Sequence, residues 1–147
     1  MANGYEGTVT IEREAAVSAA QIWTVLGDLA ILPEWAPGIE GAEITSDAKE
    51  GVGVVRKVLT AQFGAIEHVV TAWAEGEELT YTTKDSGPFS KTLTSYKITG
   101  SDDGHSKVTV DLSFDIKPGA IEMAQAEAVI GKGLTATLQS LEMRAKM

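Results

Sequence analysis

Hydrophobic and polar residues alternate along much of the chain between residues 7 and 116, with the period of two that β-strands produce. The clearest stretch is 107–116, whose apolar face carries Val108, Val110, Leu112, Phe114 and Ile116. Turns rich in Gly, Pro, Asp and Ser separate the alternating segments. The pattern predicts strands over residues 7–16, 42–45, 53–60, 65–73, 78–83, 90–99 and 107–116. The short connections between them predict an antiparallel meander.

The pattern changes to a helical period after the first strand and again at the end of the chain. Ser18 and Gln21 have the spacing of a capping box, which predicts a short helix to about Leu26. A second short helical piece runs toward Trp35. A long helix is predicted over residues 119–147, where apolar residues recur at Met123, Ile130, Leu134, Leu138 and Leu141. Such a helix, roughly 40 Å long, must lie across the sheet, and a hollow is expected between the two.

Composition restricts the classes of protein that are compatible with this pattern. The 147 residues predict one domain over 1–147, with 44% apolar residues and a net charge of −9. No Lys/Arg cluster is present, so nucleic-acid binding is not expected. The sequence shows neither a signal peptide nor a transmembrane segment, and we assign the cytoplasm by default. With two histidines and no cysteine, we expect neither a metal site nor a cofactor.

Strand registers predict which side chains face the helix. A turn over residues 101–105 sets Ile98 opposite Val108 and Tyr96 opposite Val110, so Tyr96 faces inward. A hairpin around residue 62 is predicted to set Arg56 opposite Glu67, with both side chains facing inward.

On the same registers, Val54, Val58 and Val69 also face inward, and so does Tyr81. His68 is then expected on the convex, solvated side. An apolar patch of Val55, Leu59, Val70 and Ala72 is expected on that side as well.

Arg56 and Glu67 are the most prominent candidates for chemistry. They are either a charged anchor for a ligand or a cross-strand ion pair that neutralises itself, and the sequence leaves both open. Glu127 is either a polar group that reaches the cavity or, as we favour, a solvated residue at its edge. Arg56, Glu67 and Tyr81 are the catalytic candidates. The other expected ligand contacts are Trp35, Phe89, Tyr96, Val110, Leu112, Phe114, Met123, Glu127 and Ile130.

Several segments together carry a family resemblance: residues 18–28, 35–38, 51–56 and 79–81, with Glu67 and the end of the last helix, 133–141. In these segments the chain resembles the SRPBCC superfamily, also called START-like or Bet v 1-like, and its polyketide cyclase/dehydrase-type bacterial members. The resemblance implies an α+β helix-grip fold: a seven-stranded antiparallel sheet around a long C-terminal helix, with two short helices after strand 1. Relatives bind lipids, sterols, hormones or polyketides between sheet and helix, and positions matching Arg56 and Glu67 point inward there. In cyclase relatives, arginine and tyrosine side chains orient the substrate, a role open to Arg56, Tyr81 and Tyr96.

Three functions are compatible with these observations. The leading hypothesis is a monomer or homodimer that binds a small, mostly hydrophobic molecule with one polar end. The second is a polyketide cyclase, aromatase or dehydratase with Glu67 or Glu127 as base. The third is a protein-interaction or chaperone-regulator module with a collapsed cavity.

Overall fold

The computed structural model describes residues 5–101 and 103–147, so residues 1–4 and Asp102 of the predicted 101–105 turn lie outside the described part. The strands are β1 (Gly7–Ala15), β2 (Ile39–Ile44), β3 (Val55–Thr60), β4 (Gly64–Ala74), β5 (Glu78–Ser86), β6 (Phe89–Gly100) and β7 (Ser106–Ile116). They form one antiparallel sheet in the order β1-β7-β6-β5-β4-β3-β2. The helices are α1 (Ala19–Leu26), α2 (Leu32–Trp35) and α3 (Met123–Ala145), with a 3-10 turn over Leu29–Ile31. This arrangement confirms the predicted helix-grip architecture.

The start of α1 follows the predicted capping box. The Ser18 hydroxyl accepts from the Gln21 backbone N–H at 3.1 Å, and the Gln21 side chain accepts from the Ser18 N–H at 3.0 Å. These two bonds satisfy orphan N–H groups of the first turn, and Ile22, Val25 and Leu26 are buried behind it.

The long helix α3 is shorter than predicted, because the chain turns near Gly119 and the helix begins only at Met123. Its 23 residues span about 35 Å. One stripe of the helix is buried, against β1, β7 and α1, and it includes Ala126, Ile130, Leu134, Leu138 and Leu141. In the described part of the chain, no helix is long and apolar enough to cross a membrane.

Two hairpins test the predicted registers, and only one agrees. Ile98 pairs with Val108 and Tyr96 with Val110, as predicted. In the β3–β4 hairpin, however, Thr60 pairs with Gly64 across a three-residue turn, and Gly64 takes the left-handed conformation with φ 74°. A turn of odd length closed by a left-handed glycine shifts the pairing by one residue from the predicted one.

This shift places Arg56 opposite His68 and leaves Glu67 opposite Lys57. Arg56 stays buried, as predicted, but Glu67 is exposed on the outer face, so the Arg56–Glu67 pair is wrong. His68, expected in solvent, is buried instead.

The shift also rearranges the valines of β4. Val70 is buried, whereas Val69 pairs with Val55 and is only half-buried, so both expected orientations are wrong. The expected convex patch therefore loses Val70, while Leu59 remains 47% exposed.

Candidate functional site

A cavity of about 260 Å³ lies between the sheet and α3. Its apolar wall comes from α2, from the strands and from the buried face of α3: Leu32, Ile39, Ile66, Phe89, Leu112, Ile130 and Leu134. Its polar wall comes from β4, β5 and β6: His68, Tyr81, Thr83, Ser86, Thr92, Thr94 and Tyr96. A mostly apolar cavity with a few convergent polar groups is the usual form of a small-molecule site.

Arg56 lies behind the polar wall and is only 3% exposed. Its Nη1 donates to the Leu29 carbonyl oxygen at 3.1 Å, and its Nη2 lies 2.7 Å from Nδ1 of His68. The guanidinium carbon is 5.3 Å from the centre of the Tyr81 ring, in cation–π range. Burial lowers the pKa of Arg56, although arginine stays protonated in proteins.

The hydrogen bond from Arg56 determines the tautomer of His68. Arginine can only donate, so Nδ1 of His68 accepts and the ring proton lies on Nε2. Burial, together with the charge of Arg56, holds the pKa of His68 well below its ordinary value, and the ring is neutral. His68, which lines the cavity, therefore carries its N–H donor on Nε2.

Two tyrosines complete the polar end. The Tyr81 ring stacks on His68, with centroids 4.2 Å apart and planes within 12°. Tyr96 lies beside Tyr81, with ring centroids 6.4 Å apart. Burial and the neighbouring Tyr81 raise the pKa of Tyr96 well above its ordinary value, so its hydroxyl keeps its proton.

Threonines line the floor of the cavity on the inward faces of β5 and β6. The hydroxyls of Thr83 and Thr92 are hydrogen-bonded at 2.6 Å, and both residues are buried. This pairing satisfies two polar groups in a buried position. Thr94 lies on the same inward face of β6 and also lines the cavity.

The cavity opens where its lining residues are solvent-exposed. Phe63 in the β3–β4 turn is 37% exposed, and Val129 on α3 is 50% exposed. The Phe63 ring lies against Gly87 in the β5–β6 turn, which has φ 58°, and a Cβ at Gly87 would overlap that ring. Through Phe63 and Gly87, the β3–β4 and β5–β6 turns are in contact at the mouth of the cavity.

The structure brings together five of the residues that the sequence indicated: Tyr81, Phe89, Tyr96, Leu112 and Ile130 line the cavity. Arg56 does not line the cavity, but it is hydrogen-bonded to His68, which does. Three others are buried outside the lining: Trp35, Val110 and Phe114. Phe114 packs edge-to-face against Phe89, with ring centroids 5.3 Å apart.

Three predicted contacts are exposed and absent from the lining: Glu67, Met123 and Glu127. Glu67 points outward because of the register shift. Met123 is at the first turn of α3, and Glu127 lies off the buried stripe of that helix. The solvated position that we favoured for Glu127 agrees with this.

Sequence reasoning missed His68, Thr83, Thr92 and Thr94. The three threonines share the strand period of Tyr81 and Tyr96, so that period would have identified them. His68 was missed because the predicted register of the β3–β4 hairpin paired Arg56 with Glu67 instead. Among the described residues, no three His, Cys, Asp or Glu side chains converge to hold a metal ion.

Comparison with known proteins identifies the family of the chain. The sequence profile of the family described as polyketide cyclase / dehydrase and lipid transport matches residues 6–146. The chain belongs to this family. No curated protein matches the sequence.

Solved structures share the fold of this polyketide cyclase/dehydrase family member. A START superfamily protein from Mycobacterium smegmatis is 22% identical over 95% of this chain and 97% of its own, with a TM-score of 0.81. A Thermobifida fusca protein is 25% identical over 94% and 92%, with a TM-score of 0.78. Ara h 8.0201 is 24% identical over 95% and 98%, with a TM-score of 0.71. The chain thus has the START-like, Bet v 1-like fold of the SRPBCC superfamily.

Proposed function

We propose that the chain is a single ligand-binding domain for a small, mostly hydrophobic molecule with a hydrogen-bond acceptor at one end. The carrying observation is the neutral His68 in the cavity wall, with Nδ1 engaged by Arg56 and its proton on Nε2. Tyr81 and Tyr96 line the same wall. The acceptor end of the ligand binds at these groups, and the apolar remainder contacts Leu112, Ile130 and their neighbours.

The volume of the cavity restricts the ligand. An engineered apolar cavity of about 150 Å³ in another protein binds benzene. The 260 Å³ here therefore suit a ligand of one or two rings. Apolar contact supplies most of the affinity, at roughly 25 cal/mol per Å² before ordering costs.

Binding is favoured over cyclase, aromatase or dehydratase activity because the two carboxylates expected to act as base, Glu67 and Glu127, are exposed and outside the lining. His68 is no substitute, since Arg56 occupies the nitrogen that would accept a proton. The interaction-module alternative lacks support, because the cavity is not filled and Val70 of the expected convex patch is buried.

The test is calorimetric titration with 2-naphthamide, a neutral two-ring probe with a carbonyl acceptor. Val129→Trp covers the mouth from an exposed position and is expected to weaken binding at least about tenfold. Ala128→Trp, one residue earlier on the exposed surface of α3, is the matched control and should leave the affinity unchanged. Absence of binding, or equal loss in both variants, would contradict the proposal.

A further inference from the structure

Arg56 is a buried cation whose partners are all neutral. It contacts a backbone carbonyl, the neutral His68 and the face of Tyr81, and its Nε has no hydrogen-bond partner in the part of the chain that the structure describes. None of the ion pairs among the described residues includes Arg56. Buried charges are normally paired, because taking an uncompensated ion out of water is costly. The interior of this protein therefore has an uncompensated positive charge.

The positive charge lies next to the cavity. Arg56 lies behind the wall, and within the described residues its only hydrogen bond to another side chain goes to His68, which lines that wall. A hydrogen bond received at Nδ1 polarises the imidazole and strengthens Nε2–H as a donor. The nearby Tyr96 keeps its proton and places no opposing charge there. A ligand atom that accepts from His68 thus meets a strong donor in a positive field.

We propose, building on the proposed function, that the cavity selects ligands whose polar end is an oxyanion, a carboxylate or phenolate, with Arg56 as the counter-charge acting through His68. An oxyanion supplies the negative charge that the interior lacks. A neutral carbonyl accepts the same hydrogen bond but leaves the charge of Arg56 uncompensated. The preference for the anion over its neutral isostere is the property that distinguishes this proposal from simple hydrophobic binding.

The first experiment compares 2-naphthoate with 2-naphthamide by calorimetric titration at neutral pH. The wild-type protein is expected to bind the carboxylate about tenfold more tightly or better. Arg56→Met should remove this preference, because it removes the counter-charge behind His68. Lys57→Met is the matched control: it removes one positive charge from the adjacent, exposed position and should leave the ratio unchanged.

A second measurement needs no variant and covers the case in which Arg56→Met does not fold. The pKa of bound 4-nitrophenol is read from the visible absorption of its anion. A site that prefers the anion tenfold lowers this pKa by about one unit. A pKa that is unchanged or raised on binding would overturn the proposal.

The outcomes separate the two proposals. Equal affinities for 2-naphthoate and 2-naphthamide in the wild-type protein would overturn the oxyanion preference and leave ligand binding intact. A preference that survives in Arg56→Met would overturn the role of Arg56. Absence of binding by both probes would overturn the proposed function together with this inference.

Discussion

Arg56 and His68 face each other across the β3–β4 pair, and Nη2 of Arg56 lies 2.7 Å from Nδ1 of His68. The pair contains one buried histidine that is neutral and one buried arginine that has no carboxylate partner among residues 5–101 and 103–147. Burial and the charge of Arg56 keep the histidine neutral, and both properties of the pair have consequences for stability.

Removing the acceptor is expected to destabilise the protein strongly. His68→Leu leaves the Nη2 hydrogen of a buried guanidinium without a partner, and we expect a loss of about 2–4 kcal/mol in the free energy of unfolding. His68→Gln supplies an amide oxygen in place of Nδ1 and should lose clearly less. Urea denaturation of both variants measures the difference. Equal losses would show that ring packing on Tyr81, rather than the hydrogen bond, accounts for the effect.

The lowered pKa of His68 predicts a pH dependence of stability. In the unfolded chain His68 gains a proton below about pH 6.5, whereas in the folded protein it stays neutral, facing Arg56 and Tyr81. The folded state then binds fewer protons, so stability is fully present above about pH 6.5 and falls as the pH is lowered toward the folded pKa. The slope reaches at most about 1.4 kcal/mol per pH unit. Urea denaturation at several pH values between about 5 and 7 should show this dependence of the free energy of unfolding on pH in the wild type and a weaker one in His68→Gln.

The sequence predicted the elements whose signals are local. The Ser18–Gln21 capping box was recognisable because both hydrogen bonds lie within one turn of helix. The β6–β7 register was predicted correctly because apolar residues on β7 lie on one face only, which leaves a single consistent pairing for Tyr96 and Val110. The family resemblance extended these local predictions to the helix-grip fold.

The β3–β4 register could not be predicted in the same way. Apolar residues occur on both faces of this hairpin, Val58 on one and Leu59 on the other, so periodicity left two pairings open. The number of turn residues, set by the left-handed Gly64, decided between them. The one-residue error exchanged Glu67 for His68 and thereby changed the chemistry predicted for the site.

A second prediction about charge concerns the attachment of α3 to β1. Glu142 is buried and accepts from Nε of Arg13 at 2.6 Å and from the backbone N–H of Ala16 at 3.0 Å, and Lys146 lies 3.3 Å away. Glu142→Gln should cost about 1–3 kcal/mol in the free energy of unfolding, because it weakens two part-buried charge-assisted hydrogen bonds. Glu127→Gln, on the exposed surface of the same helix, is the control and should change it by less than about 0.5 kcal/mol. Similar losses of stability in Glu142→Gln and Glu127→Gln, measured by thermal denaturation, would contradict the role of Glu142 in attaching α3 to β1.

Glu142 also contributes in a different pH range from His68. Burial tends to raise the pKa of Glu142, but the hydrogen bonds from Ala16 and Arg13, with Lys146, lower it overall. Its stabilisation is therefore present above the unfolded pKa of about 4.3 and is lost as the pH falls below it. In Glu142→Gln, the free energy of unfolding should change less steeply with pH below about pH 4.5 than in the wild type. Between about pH 5 and 6.5 its pH dependence should stay as in the wild type.

The last prediction concerns Phe63 at the mouth of the cavity. Its ring lines the cavity, lies against Gly87 and is 37% exposed, and we expect that a ligand passes the mouth only when this ring moves. If Phe63 were only a ligand contact, Phe63→Ala would raise the dissociation rate constant alone; because it also obstructs the mouth, we expect both rate constants for 2-naphthamide to rise, each by at least about threefold. Gly87→Ala would place a Cβ against the Phe63 ring and displace it, so both rate constants should rise in this variant as well. Stopped-flow measurements check this, with Leu59→Ala on the outer face of the same hairpin as control. An unchanged association rate constant in Phe63→Ala would rule out the obstruction and leave Phe63 as a wall residue.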